Sequence, residues 1–178
     1  MDTSTEIKIL YNTGIIAAFS TLAFIGTLLI RIPIPVTGGY FNLGDTFVMA
    51  AALLYGPVVG GLVGLIGPAA ADAVGFPQFI LATAVVKAVE GALVGMIGWK
   101  GGGSTWRQIV ALGVGVAVLV SGYYLFEAVI YPAIAQTIPF FGVTDAKAAL
   151  AEIPPNLLQG GLSAVVAYGI YRVLHRRI

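Results

Sequence analysis

The chain has 178 residues, 58% of them hydrophobic and only 10% charged, with a formal net charge of +1 and a mean hydropathy of +0.96. Soluble domains carry about 25% charged residues, and a soluble surface built from this composition would be mostly exposed apolar patches, which water does not tolerate. An integral membrane protein is predicted. The near-neutral charge gives no footing for nucleic acid. The absence of cysteine excludes disulfides, thiolate metal sites and a cysteine nucleophile.

The N-terminus, "MDTSTEIKIL", is acidic before Lys8. The apolar stretch that follows, 9–30, is too long for the core of a signal peptide and reads as a first span that stays. A membrane-crossing helix needs about 20 mostly apolar residues, and 79–99, 108–132 and 154–174 also qualify. The stretch 46–74 as one helix would run roughly 43 Å, against a hydrocarbon layer of roughly 30 Å. It contains Gly56-Pro57, and proline removes a backbone donor and biases the residue before it away from helix.

Charge placement selects a break there. Cytoplasmic connections are enriched in Lys and Arg. With spans at about 9–30, 45–55, 58–74, 79–99, 108–132 and 154–174, Lys8, Lys100, Arg107, Arg172, Arg176 and Arg177 share one side. Arg31 and Lys147 are left on the other with Asp45, Asp72, Asp145 and Glu152. The expected fold is an all-α integral membrane protein, a single membrane domain over 1–178. It is a six-transmembrane-helix bundle in the cell membrane with both termini cytoplasmic. Two of its outer connections, 31–45 and 133–153, are long and rich in Pro, Gly and aromatics, as binding loops often are.

Small residues let helices approach closely in lipid. Gly56, Gly60 and Gly64, and Gly91 with Gly95, predict close packing of the third and fourth helices inside the bundle. Gly14, Ala17, Ala18 and Thr21 form a similar stripe on the first helix, either for internal packing or for docking another membrane protein.

Ionisable and amide side chains inside spans mark sites or paired contacts. Lys87 and Glu90 lie three apart on one helical face, with Thr83 a turn away. They form an internal ion pair, the wall of a polar pocket, or both. Tyr124, Glu127 and Tyr131 share a face of the fifth span, a carboxylate beside phenols that suits a small aromatic nitrogen compound. Asn156, Gln159 and Ser163 share a face of the sixth, where amides can both donate and accept. Asp45, after "NLG", is placed to cap the second helix and to position the first connection over the pocket, with Gly44 permitting a sharp approach. "GWKGGGST" does not match a phosphate loop, and HExxH and GxSxG are absent, so neither catalysis nor a nucleotide site is expected.

The stretch "GGYFNLGDTFVMAAALLYGPVVGGLVGLIGPAAADAVG", followed by "VVKAVEGALVGMIG", resembles the substrate-binding S components of energy-coupling factor (ECF) vitamin transporters. The likeness is greatest to the branch with a G-Y-x-N-L-G-D outer loop and a K-x-x-E-G fourth helix. It covers 38–98 by motif and the rest by layout. The resemblance implies a high-affinity binder of a vitamin or precursor, of the hydroxymethylpyrimidine, pyridoxine or riboflavin type, with no cofactor, metal or enzymatic activity. The pocket would use Asn42, Lys87, Glu90, Tyr124, Glu127, Asn156 and Gln159. It further implies partners, one transmembrane coupling (T) protein and two ABC-type ATPases, within which the loaded subunit topples to release its cargo. The family docks through an Ala-x-x-x-Ala type face of the first helix, for which Gly14 with Ala18 is the nearest match here. A stand-alone proton-coupled transporter and a membrane assembly subunit without a ligand are the competing expectations.

Overall fold

The computed structural model describes residues 2–34, 39–99, 104–135 and 146–175. Lys100, Arg176 and Arg177, the glycine-rich connection at 100–103 and the stretch 136–145 lie outside them. The first helix, α1, spans Thr3–Leu29. An antiparallel hairpin of β1 (Ile32–Ile34) and β2 (Gly39–Phe41) follows, with Ile32 paired to Phe41 and Ile34 to Gly39. Helices α2 (Asp45–Tyr55), α3 (Pro57–Ala73), α4 (Ile80–Gly98) and α5 (Thr105–Leu125) come next. A single 3₁₀ turn at Pro77–Phe79 leads into α4. Helix α5 runs on through a π turn at Phe126–Ile130 into the short α6 (Tyr131–Ala135). The last helix, α7, covers Ala146–Leu174.

Four helical stretches are long and apolar enough to cross a membrane: Thr3–Leu29, Pro77–Gly98, Thr105–Ile134 and Ala146–Leu174. The break expected between the second and third helices is present. Gly56 adopts φ +92° with ψ −174°, a region essentially reserved to glycine where another residue costs of order 1–3 kcal/mol. Pro57 then starts α3 at a first-turn position where its missing N–H matters least. At 11 residues, α2 is only about 17 Å long. Residues Val48 to Leu53 are all at most 1% exposed, as in a helix that is apolar all round and enclosed by its neighbours.

Glycine sets the α3–α4 spacing. A Cβ added to Gly64 would fall on the Lys87 carbonyl, one on Gly91 would fall on the Gly60 carbonyl, and one on Gly95 would lie 2.5 Å from the Pro57 nitrogen. The two backbones therefore touch along the predicted seam. On α1 the outcome differs. Gly14, Ala17, Ala18 and Thr21 are all exposed, and a Cβ at Gly14 would meet nothing within 4 Å. Among the described residues this stripe is left uncovered.

Besides α1 and α5, which start a turn or two early at Thr3 and Thr105, two regions depart from what the spans predict. Helix α7 begins at Ala146 rather than 154, because "AKAALAE" is rich in strong helix formers and the turn before Pro154-Pro155 stays helical. Glu152 thus belongs to a helix, not a loop. The first connection carries a hairpin, since the β-branched and aromatic residues flanking 35–38 pair across it.

Candidate functional site

Two polar groupings meet at one end of the bundle. The deeper is an ion cluster. Lys87 on α4 contacts the Asp45 carboxylate on α2, and its ammonium lies 3.5 Å from Glu90 Oε2 one turn along its own helix. All three residues are at most 1% exposed. Gln159 Nε2 donates to the other Asp45 oxygen at 2.7 Å. Gln159 Oε1 in turn accepts from the Asn42 backbone N–H at 2.8 Å and its side-chain amide at 3.3 Å. Asn42 Oδ1 accepts from the Gly44 N–H at 2.9 Å. This chain of bonds fastens the end of the hairpin to α2, α4 and α7. Removing one member of such a buried set would strand the others without water.

Asp45 does not cap α2. Gly44 is the cap residue, and no side chain bonds the first-turn N–H groups. Asp45 is the first helical residue, and its carboxylate turns inward to Lys87 and Gln159 because a buried ammonium offers more than exposed backbone donors could.

Beside this cluster lies a cavity lined by Gly39, Tyr40, Asn42, Phe79, Thr83, Tyr123, Glu127, Glu152 and Asn156. Its floor adjoins the cluster, for Lys87 Nζ sits 5.2 Å from the centre of the Tyr123 ring. Thr83 and Tyr123 share a hydrogen bond of 2.9 Å. Glu127, on the π turn, and Glu152, on α7, are 1% and 4% exposed. Their carboxyl groups lie close enough to influence each other, with Asn156 beside Glu152. The volume open to the centre of a water-sized sphere is about 20 Å³, room for about one water. A vitamin-sized guest therefore requires the walls to part.

The hairpin forms the cover. The Tyr40 hydroxyl donates to Asp72 at the end of α3, and its ring packs on Phe76 at a tilt of 35°, centre to centre 4.4 Å. The Arg31 guanidinium lies 5.0 Å from the Tyr40 ring and 5.2 Å from the Phe76 ring, and it donates to the Ala71 carbonyl at 2.5 Å. Burial, reinforced by Asp72, pushes the Tyr40 phenol well above its ordinary value, so it stays a donor.

Of the residues expected in a pocket, Asn42, Glu127 and Asn156 line the cavity, while Lys87, Glu90 and Gln159 lie in the cluster under it. Tyr124 is not in the lining. Tyr123 takes that place, four residues before Glu127 and therefore also on its face of the helix. Tyr131 donates to the Gln78 carbonyl at 2.9 Å and packs with Phe79 and Phe126. Tyr40, Phe79, Tyr123 and Glu152 were not foreseen. Glu152 could have been found, since 152, 156, 159 and 163 fall on one helical face once α7 is extended backwards.

Residues 4–176 match the family model described as the ECF-type riboflavin transporter, S component. The chain belongs to this family. Its members are transporter subunits and not enzymes, and its apolar helices are those of a multi-pass membrane protein. An S component of this kind is 36% identical over 154 residues to a protein from Pyrococcus woesei described as an uncharacterized protein in a gap 3′ region, with 85% of this chain and 93% of that one covered. The S component fold itself is shared with a solved structure described as the S component of a bacterial ECF transporter. That match has a TM-score of 0.71 and 20% identity, and it covers 93% of this chain and 96% of the other.

Proposed function

We propose that this S component captures a small vitamin or vitamin precursor at the outer face of the cell membrane for an ATP-driven ECF importer. One observation carries the reading. Within a chain of this family, side chains from the hairpin, α4, the π turn and α7 converge on a single cavity under a pinned cover. The lining supplies flat ring faces, amides, a hydroxyl and carboxylates, the mixture that holds a small heterocycle by a few placed polar contacts. Asn42, Glu127 and Asn156 meet the guest, and Lys87, Glu90, Asp45 and Gln159 set the floor. The chain crosses the membrane six times with both termini in the cytoplasm. α2 and α3 are two short crossings joined at Gly56. Energy comes from a transmembrane coupling protein and two ATPases, docked through the bare Gly14–Ala17–Ala18–Thr21 stripe.

The test is native mass spectrometry of the full chain purified from its own membrane. Expected are a retained small molecule and a copurifying coupling protein with its ATPases. Absence of both, together with no tight binding across B-group vitamins and precursors, overturns the reading. Single cysteines introduced at Thr3 and His175, in a chain with none of its own, report the termini. Labelling of both from the cytoplasmic side only is the expected result.

A further inference from the structure

The end of the bundle away from the cavity is built from the last turns of α4 and α7 and the first turn of α5. Positions 91–126 and 153–178, which include these turns, hold five Lys and Arg and no Asp or Glu. Two of the arginines are described. Arg172 Nη1 donates to the Tyr168 hydroxyl at 2.9 Å, and the guanidinium lies 5.7 Å from the centre of that ring. The Tyr168 hydroxyl donates in turn to Thr105 Oγ1, 3.4 Å away at the start of α5. Arg107 Nη2 donates to the Ile97 carbonyl at 2.9 Å, near the end of α4. Each guanidinium is thus fixed through one nitrogen, which leaves further N–H donors on an exposed side chain.

Rings and bare apolar side chains border these charges. Trp99, closing α4, is 45% exposed, and Trp106, in the first turn of α5, is 71% exposed. Farther along the same helices Ile109 and Val110 on α5 and Val165 and Val166 on α7 are exposed as well. Positive groups, then indoles, then uncovered aliphatic surface is the order met on passing from lipid headgroups to lipid tails. Topology alone asks for positive charge beside the spans; it does not ask for a guanidinium held against two hydroxyls. Guanidinium groups take phosphate oxygens in pairs of charged hydrogen bonds, and basic pockets between spanning helices hold anionic headgroups. An acidic protein surface would answer the arginines but not the aliphatic belt directly behind them. We propose that this end of the bundle binds anionic phospholipid. The headgroup phosphate lies against the Arg172–Tyr168–Thr105 group, Arg107 adds to the positive field, and the acyl chains run along the exposed aliphatic residues of α5 and α7. The surface is remote from the cavity, so the inference holds or fails independently of the capture reading.

Trp99 and Trp106 are the two tryptophans of the chain, so its intrinsic fluorescence reports the lipid beside this surface. The full-length chain is reconstituted in bilayers of phosphatidylcholine mixed with phosphatidylglycerol, one of the two brominated on its acyl chains so that it quenches indole on contact. Phosphatidylglycerol is expected to compete for the surface about fivefold better than phosphatidylcholine, the worth of one basic side chain near an anionic headgroup, and less well in about 0.5 M salt. Arg107→Gln with Arg172→Gln should bring the two lipids to within about twofold of each other, while Arg172→Lys, which keeps the charge, should retain most of the preference. Lys8→Gln, at a helix end that also carries Asp2 and Glu6, should leave it unchanged. Equal quenching by the two lipids in the parent chain overturns the proposal, as does a preference that survives the double substitution or falls as far in Lys8→Gln. Lack of a lipid preference, together with loss of a copurifying protein from the double variant, assigns the surface to an acidic protein partner and likewise overturns it.

Discussion

The ammonium of Lys87 meets the carboxylate of Asp45 where no water reaches either, joining the middle of α4 to the first residue of α2. Taking away one partner of such a pair leaves a bare buried charge and typically costs 3–5 kcal/mol. Lys87→Met should therefore lower the melting temperature in detergent sharply, by an amount equivalent to about 3–5 kcal/mol. Adding Glu90→Gln, which removes one of the two stranded carboxylates, should recover part of the loss. A Lys87→Met chain that melts with the parent would show that the cluster does not hold the fold.

Tyr40 is the bond between the hairpin and α3. Tyr40→Phe keeps the ring on Phe76 but removes the donor to Asp72, a loss of about 1–3 kcal/mol for a buried acceptor left unmade. Ligand dissociation should quicken along with the lower melting point, measured by stopped-flow release. The phenol's folded value is raised by burial, so the folded state holds its proton more tightly than the unfolded chain does. Its contribution is complete below the unfolded value of about 10 and is lost as pH climbs beyond it. A melting profile that declines only on the alkaline side of about pH 10 in the parent, and declines less there in Tyr40→Phe, is the expected signature.

Neighbouring tyrosines separate the cavity's wall from its surroundings. Tyr123→Ala should weaken ligand binding by at least about tenfold, the loss of a buried ring contact. Tyr124→Ala, outside the lining, should leave the affinity within about twofold of the parent. Equal losses in both variants would place the binding surface elsewhere.

Gly14 and Gly113 both face open space, with nothing within 4 Å of an added Cβ. Gly14→Leu and Gly113→Leu should each fold with unchanged or slightly higher stability, since leucine favours helix over glycine by somewhat under about 1 kcal/mol. Only Gly14→Leu should lose the coupling protein on affinity purification. Retention by both would move the docking face away from this stripe.

How much of this could be read from residues alone depended on the range of the interaction. Gly56-Pro57 announced the break between α2 and α3 because both residues act on their own backbone. The glycines of α3 and α4 announced their seam because spacing along one helix sets one face. Asp45 was misjudged for the opposite reason. Its local surroundings say cap, while its partners, Lys87 and Gln159, are distant in the chain and were visible only after folding. Glu152 was hidden by Pro154-Pro155, which look like a helix start but lie inside α7. Tyr123 and Tyr124 lie four and three residues before Glu127, spacings that a 3.6 repeat puts on one face alike, so only the packing could choose between them.

At Gly60, Gly64, Gly91 and Gly95 the peptide groups of α3 and of the Gly56-Pro57 step lie directly against those of α4. A contact without rotamers has no second arrangement to settle into, so these two helices behave as one stiff plank. The freedom to admit a guest is therefore concentrated on the opposite flank, among the hairpin, the π turn and α7, where longer side chains can swing. Cross-linking α3 to α4 should leave the traffic of ligand untouched, whereas tethering α7 to the π turn should jam it.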